Sequence, residues 1–167
     1  IIIRLNTSPE KYINTTTKKI FFNFFYKFSD EIIVNSFEFK KRLKKNLNLN
    51  SSVIYNPIGI PKKFIKKKIN FFNQFKNLKI ISIGRLTDQK DHLTLIKALH
   101  LLKKDGIKFK FYLVGQGINY NKIYDLIKKY ELTNIVKLAG FKEKAYQYIK
   151  SADLFILTSK YEGLPNV

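Results

Sequence analysis

Apolar residues along this chain fall into short, nearly continuous runs. Between the runs they recur every three or four positions. Ile32-Ile33-Val34 reads as a strand, and Phe39, Leu43 and Leu47 read as one face of a helix. Val53-Ile54-Tyr55 reads as another strand, stopped by the turn pair Asn56-Pro57. Residues 58–78 are rich in Lys and Asn, contain Gly59 and Pro61, keep no period, and are expected to be a linker. From Lys79 the alternation is regular. Ile80–Ile83 is a run suited to a strand buried on both faces, and Gly84 ends it. Leu95, Leu99 and Leu102 form a helical face that stops at Gly106. Phe109–Val114 is the next strand, ended by Gly115-Gln116-Gly117, and Ile123, Leu126, Ile127 and Tyr130 form the next helix. Ile135–Leu138 is a strand ended by Ala139-Gly140, and Ala145, Tyr148, Ile149 and Ala152 predict a further helix. Leu154–Leu157 is the last strand, followed by the loop Thr158–Val167.

Four strands alternating with three helices, at intervals of about 20 to 30 residues, imply βαβ units and a parallel, doubly wound α/β sheet. Ligands of such sheets bind beyond the carboxyl ends of the strands. The segments expected there are Gly84–Lys90, Gly115–Gly117, Gly140-Phe141 and Ser159–Val167.

Composition changes the picture in two ways. With 45% hydrophobic and 15% aromatic residues the chain is globular, not a disordered tail. The longest apolar run, Ile20–Tyr26, is broken by Asn23 and falls far short of the about 18 residues of a spanning helix. The formal net charge of +20 points at first to nucleic acid or an anionic membrane. Yet the only arginines are Arg4, Arg42 and Arg85, and Lys, Ile, Asn, Phe and Tyr make up more than half the chain. All five have codons rich in A and T, so drift in base composition accounts for most of the charge, and no nucleic-acid partner is expected. The densest basic run, Lys62–Lys68, is interleaved with Phe64 and Ile65 and suits either a solvated linker or an anionic bilayer surface. The chain lacks Met, so it is expected to be a fragment, and the missing Cys fits a reducing compartment but equally follows from the composition.

Three segments carry candidate chemistry. In Gly84-Arg85-Leu86-Thr87-Asp88-Gln89-Lys90 the glycine turns the chain off its strand, and two cations flank a helix start whose free amides favour an anion. A forked guanidinium and a mobile ammonium suit a diphosphate. The plain alternative is two surface cations, and Arg85 is the more telling because Arg is rare here. Gly115-Gln116-Gly117 admits close approach of a nucleotide or is an ordinary turn. Glu162, with Gly163 beside it, can accept hydrogen bonds from sugar hydroxyls or is a loop carboxylate. His92 and His100 have no ligand partner at metal-binding spacing.

In this order, Gly84-Arg85-Leu86 with Lys90, Leu113–Gly117, Leu138–Phe141, Ser151–Ser159 and Glu162–Val167 resemble the retaining nucleotide-sugar glycosyltransferases of family 4, which have the GT-B fold. Ser29–Ser36 and Val53–Ile58 resemble the end of that family's N-terminal domain. The resemblance implies residues 1–58 as the last part of a Rossmann-like acceptor domain, 59–78 as interdomain linker, and 79–167 as a truncated Rossmann-like donor domain. It implies that Arg85 and Lys90 bind the donor diphosphate and stabilise the leaving group, so that no metal or other cofactor is needed. Glu162 corresponds to the first Glu of the family's carboxylate pair and contacts the donor sugar. Gly84, Gly163 and Leu164 lie at the phosphate or sugar, and Gly115, Gly117 and Phe141 near the nucleoside.

Two departures stand out. Asp91 occupies a position where that family often has Gly, and the second Glu falls past Val167. The polypeptide by itself is therefore expected to be inactive, with the function belonging to a longer parent. That function is hexosyl transfer from a UDP- or GDP-sugar to a glycan or lipid-linked glycan, in the cytoplasm or peripherally at the inner face of the cytoplasmic membrane. The competing readings are another GT-B enzyme, such as a nucleotide-sugar 2-epimerase, and a non-enzymatic basic binding module.

Overall fold

The computed structural model describes residues 1–6, 13, 15–57, 71–72, 75–162, 164–165 and 167. The chain divides into two compact units, Ile1–Gly59 with Tyr161–Asn166, and Ile60–Lys160 with Val167.

In the first unit, β1 (Ile2–Leu5), α1 (Thr16–Lys27), β2 (Glu31–Val34), α2 (Phe37–Leu47) and β3 (Ser52–Val53) form a parallel sheet in the order β1-β2-β3. Ser36 starts α2, its hydroxyl accepting from the Phe39 amide at 3.2 Å. Asn48 ends it in the left-handed region, at φ 53°. Phe39, Leu43 and Leu47 are buried against Ile32 and Val34, as their spacing predicts. α1 has no buried residue; only Phe22 and Tyr26 pack partly on the core. Phe21, Phe24, Phe25 and Phe28 are exposed.

The second unit contains β4 (Leu78–Ile83), α3 (His92–Lys104), β5 (Phe109–Val114), α4 (Tyr120–Lys129), β6 (Val136–Gly140), α5 (Ala145–Ile149) and β7 (Leu154–Phe155). All strand pairs are parallel, in the order β6-β5-β4-β7. Right-handed crossovers then put α3 and α4 on one face and α5 on the other. The core follows this division. Ile80, Phe111 and Leu113 meet Leu95, Ile96, Leu99, Ile123 and Ile127 on one face, whereas Ile81, Ile83, Tyr112 and Val114 meet Phe72, Ala145, Tyr148 and Ile149 on the other. β4 and β5 are covered on both faces, which is why they read as continuous apolar runs.

The order has a functional consequence. The chain moves outward from β4 to β5 to β6, then returns to lay β7 on the opposite side of β4. Between β4 and β7 the crossovers reverse direction, and the carboxyl ends of the strands at such a point are where sheets of this kind bind ligands.

Several boundaries differ from the sequence expectation. β3 ends at Val53 because its partner β2 ends at Val34; Ile54 adds one bond, to the Val34 carbonyl at 2.9 Å. β7 is two residues long, not four. β1 and α1 were not anticipated. Residues 58–70 and 73–74 of the expected linker, and Gly163, lie outside the described residues; of the rest, Phe72 is buried in the core and Leu78 opens β4.

Candidate functional site

The loop from Gly84 to Asp91 joins β4 to α3 at the point where the strand order reverses. It is fixed from two directions. Toward β5, the Gly84 amide donates to the Val114 carbonyl and the Leu86 amide to the Gln116 carbonyl, each at 3.0 Å. Toward the segment after β7, the Thr158 hydroxyl donates to the carbonyls of Lys90 and Asp91 at 3.0 and 3.1 Å. The Lys160 amide donates to the Gln89 carbonyl at 2.8 Å. Leu86 is buried and pins the middle of the loop into the main core.

Within this frame Arg85 is exposed; its carbonyl accepts from the Thr87 amide at 2.9 Å, while its guanidinium makes no hydrogen bond or ion pair among the described residues. Lys90 is half-buried, and its stem lies over Gly84: a β-carbon on that glycine would meet Lys90 Cδ and Cε at 3.4 Å. Gly84 thus gives the lysine stem its resting surface and sends Arg85 off the strand.

The two glycines after β5 have a specific use. A β-carbon on Gly115, whose φ is +148°, would stand 1.9 Å from the Gly84 carbonyl oxygen. One on Gly117 would stand 2.5 Å from the Leu86 carbonyl oxygen. Their bareness lets two backbone segments touch. The Gly115 amide then donates to the Gly140 carbonyl at 2.9 Å. A register irregularity opposite Leu113 and Val114, with Gly140 at φ 68°, sets up this contact. Three of the four segments expected at the strand ends are therefore stitched by backbone bonds; the fourth joins them through Lys160, with Thr158 just before it adding its hydroxyl.

Phe141 is 66% exposed, just beyond β6, and Ile118 is 84% exposed in the loop after Gly117. Ile118 was not singled out from the sequence. Glu162 and Leu164 are half-buried and group with the first unit.

Asp91 occupies the N-cap position of α3, but its side chain does not cap the helix. It sits in the left-handed region at φ 47°, makes no side-chain cap bond to the backbone, and accepts instead from the Thr94 hydroxyl at 2.9 Å. A left-handed φ is what Gly adopts most readily, which explains the Gly expected there from the resemblance. The next residue, His92, is 3% exposed with no partner at Nδ1. Burial, reinforced by the nearby Lys90 charge and partly offset by Asp91, pushes its imidazole down to about 4. It is a neutral packing residue at the helix start.

Residues 62–167 match the family described as glycosyl transferases group 1. Over 172 aligned residues the chain is 31% identical to an uncharacterized glycosyltransferase of Methanocaldococcus jannaschii, covering 96% of this chain and 42% of that protein. It is 30% identical over 157 residues to a Campylobacter jejuni enzyme named N-acetylgalactosamine-N,N'-diacetylbacillosaminyl-diphospho-undecaprenol 4-alpha-N-acetylgalactosaminyltransferase, covering 92% of this chain and 42% of that one. The chain thus spans less than half the length of either relative. Among solved structures, Anabaena HepE in complex with UDP and glucose superposes with a TM-score of 0.72 at 21% identity, over 95% of this chain and 46% of that one, a likeness of fold.

Proposed function

This chain belongs to the glycosyl transferases group 1 family and has its GT-B type of fold, and we propose that it carries the donor site of a retaining hexosyltransferase. Its donor is a UDP- or GDP-linked sugar and its acceptor a glycan or lipid-linked glycan of cell-surface polysaccharide or lipopolysaccharide. In this reading residues 1–58 close the acceptor domain and 79–167 form the donor domain. The observation that carries the proposal is the placement of Arg85 and Lys90, on one loop, at the point where the strand order reverses, ahead of the α3 amino terminus.

The chemistry follows from charge. Breaking the bond between sugar and diphosphate builds negative charge on the departing phosphate. Cations held in place beforehand interact more strongly with that charge than with the intact donor, and so lower the barrier. Arg85 supplies the fork and Lys90 the point charge, a task that a divalent cation performs in other transferases. Glu162 serves the donor-sugar hydroxyls, Gly163 and Leu164 offer amides to phosphate or sugar, and Phe141 lies by the nucleoside. The UDP bound to HepE favours a uridine donor, and the undecaprenol-linked substrate in the Campylobacter enzyme's name favours a lipid-linked acceptor.

A lipid-linked acceptor also calls for membrane contact. Among the described residues no helix is long and apolar enough to cross a bilayer. α1 is suited to lie on one. Its exposed Ile20, Phe21, Phe24, Phe25 and Phe28 share one arc, and the helix carries Lys18, Lys19 and Lys27 with no acid in its first turn.

Titration with UDP and GDP, followed by calorimetry, tests the donor site. Binding to the wild-type chain should weaken about tenfold or more in Arg85→Ala and in Lys90→Ala, the scale of one charge-assisted contact. Unchanged affinity in both removes the diphosphate assignment.

A further inference from the structure

The inference rests on the diphosphate reading of Arg85 and Lys90 and concerns a residue outside it. Asn119 stands at the N-cap of α4, only 4% exposed. Asn is among the best N-caps because its side-chain oxygen can accept from the first free amides of the helix. Here it makes no such bond. Its Nδ2 instead donates to Asp88 Oδ1 at 2.8 Å. Its backbone amide donates to the Leu86 carbonyl at 3.0 Å, and its carbonyl accepts from the Ile123 amide at 3.0 Å to begin α4.

One buried residue therefore grips the β4–α3 loop twice while its own carbonyl is anchored in a helix. The two gripped residues, Leu86 and Asp88, lie between Arg85 and Lys90. Departure from a strong local preference is expected where function sets the geometry. The departure here directs a buried side chain to the loop that carries both cations. It also engages the one carboxylate on that loop between them, which would otherwise be free to turn toward an incoming anion.

We propose that Asn119 is a positioning residue for nucleotide-sugar binding: by holding Leu86 and Asp88 it fixes the span between Arg85 and Lys90 and couples it to the loop after β5. Asn119 touches no phosphate in this scheme. It acts through Asp88.

The test is a double-mutant cycle read by UDP and GDP affinity, with Arg85→Ala as reference. Asn119→Ala and Asp88→Ala should each weaken binding about tenfold, and together little more than either alone, because they remove the same bond. Asp88→Asn keeps an acceptor oxygen for Asn119 while removing a negative charge from the loop, and should bind at least as tightly as wild type. Asp88 is exposed, so Asp88→Ala reports even where Asn119→Ala fails to fold. Hydrogen exchange should show faster amides at Leu86 and Lys90 in Asp88→Ala with an unchanged thermal midpoint. If Arg85→Ala loses affinity while Asp88→Ala keeps it, or if the two single losses simply add, the role of Asn119 is overturned and the diphosphate site stands. If Arg85→Ala also keeps full affinity, the diphosphate reading falls and takes this role with it.

Discussion

Gly84 and Gly115 approach so closely that a β-carbon on Gly115 would stand 1.9 Å from the Gly84 carbonyl oxygen. No side-chain rotation relieves such an overlap, because both partners are backbone. Gly115→Ala should therefore destabilise the chain by roughly 2–4 kcal/mol, with strain from the positive φ added to overpacking. Gly106→Ala is the control. Gly106 also has a positive φ, 74°, but nothing within 4 Å of its β-carbon position, so it should cost about 1 kcal/mol. Urea unfolding midpoints distinguish the two, and equal losses would mean that the close approach carries no energy.

His92 makes stability depend on pH. Its imidazole titrates at about 4 in the folded chain against an ordinary 6.5. Above pH 6.5 it is neutral in both states and contributes no pH dependence. As pH falls from 6.5 toward 4 the unfolded state takes up a proton that the folded state refuses, and stability is lost, up to on the order of 3 kcal/mol. Below about 4 both states are charged and the loss stops growing. His92→Gln removes this dependence, so the wild-type and variant curves should converge or part only within that window. Parallel curves from pH 7 to 4 would contradict the assignment.

Asp91 combines a left-handed backbone with a carboxylate next to Lys90. Asp91→Gly relieves the backbone and loses the Thr94 bond, so stability should stay within about 1 kcal/mol of wild type. Removing a negative charge beside the proposed diphosphate loop should raise UDP affinity by about two- to fivefold. Asp91→Ala, which gains no backbone relief, should be the less stable of the two. Calorimetric titration and thermal melts check both arms, and weaker UDP binding by Asp91→Gly would show that the carboxylate assists the site.

The aromatic arc of α1 predicts sedimentation with vesicles of phosphatidylglycerol and not with neutral phosphatidylcholine. Phe24→Asp with Phe25→Asp should abolish it, and high salt should weaken it by screening the lysines. Sedimentation with neither lipid argues that protein and not lipid covers this helix, and equal sedimentation with both removes the part assigned to the lysines.

The strands around the site were legible because burial on both faces leaves a continuous apolar run, as at Ile80–Ile83 and Phe109–Val114. α1 was not legible for the opposite reason. Its run Ile20–Tyr26 is apolar around most of the helix, so the pair that packs, Phe22 and Tyr26, does not stand out as a stripe. The placement of Arg85 and Lys90 at a strand end followed from Gly84. The return of β7 to the far side of β4 did not, since strand order is written in no local pattern. Nor could spacing say what the bare faces of Gly115 and Gly117 meet; it admitted a nucleotide or a turn, and each position is filled by neighbouring backbone. Asn119 was not singled out: an Asn before a helix suggests a cap, whereas its side-chain amide donates to Asp88.

The two-sided anchoring of the Gly84–Asp91 loop bears on biogenesis. Its struts come from Val114 and Gln116 on one side and from Thr158 and Lys160 on the other. The last of these is made late, by residues far downstream in the chain. A partly synthesised polypeptide has the two cations but not the frame that aligns them, so under the proposed donor reading nucleotide affinity should arise only once the segment after β7 is in place. Donor binding would then act as a check on completed folding. By mass action it should stabilise all four strands together, not the loop alone.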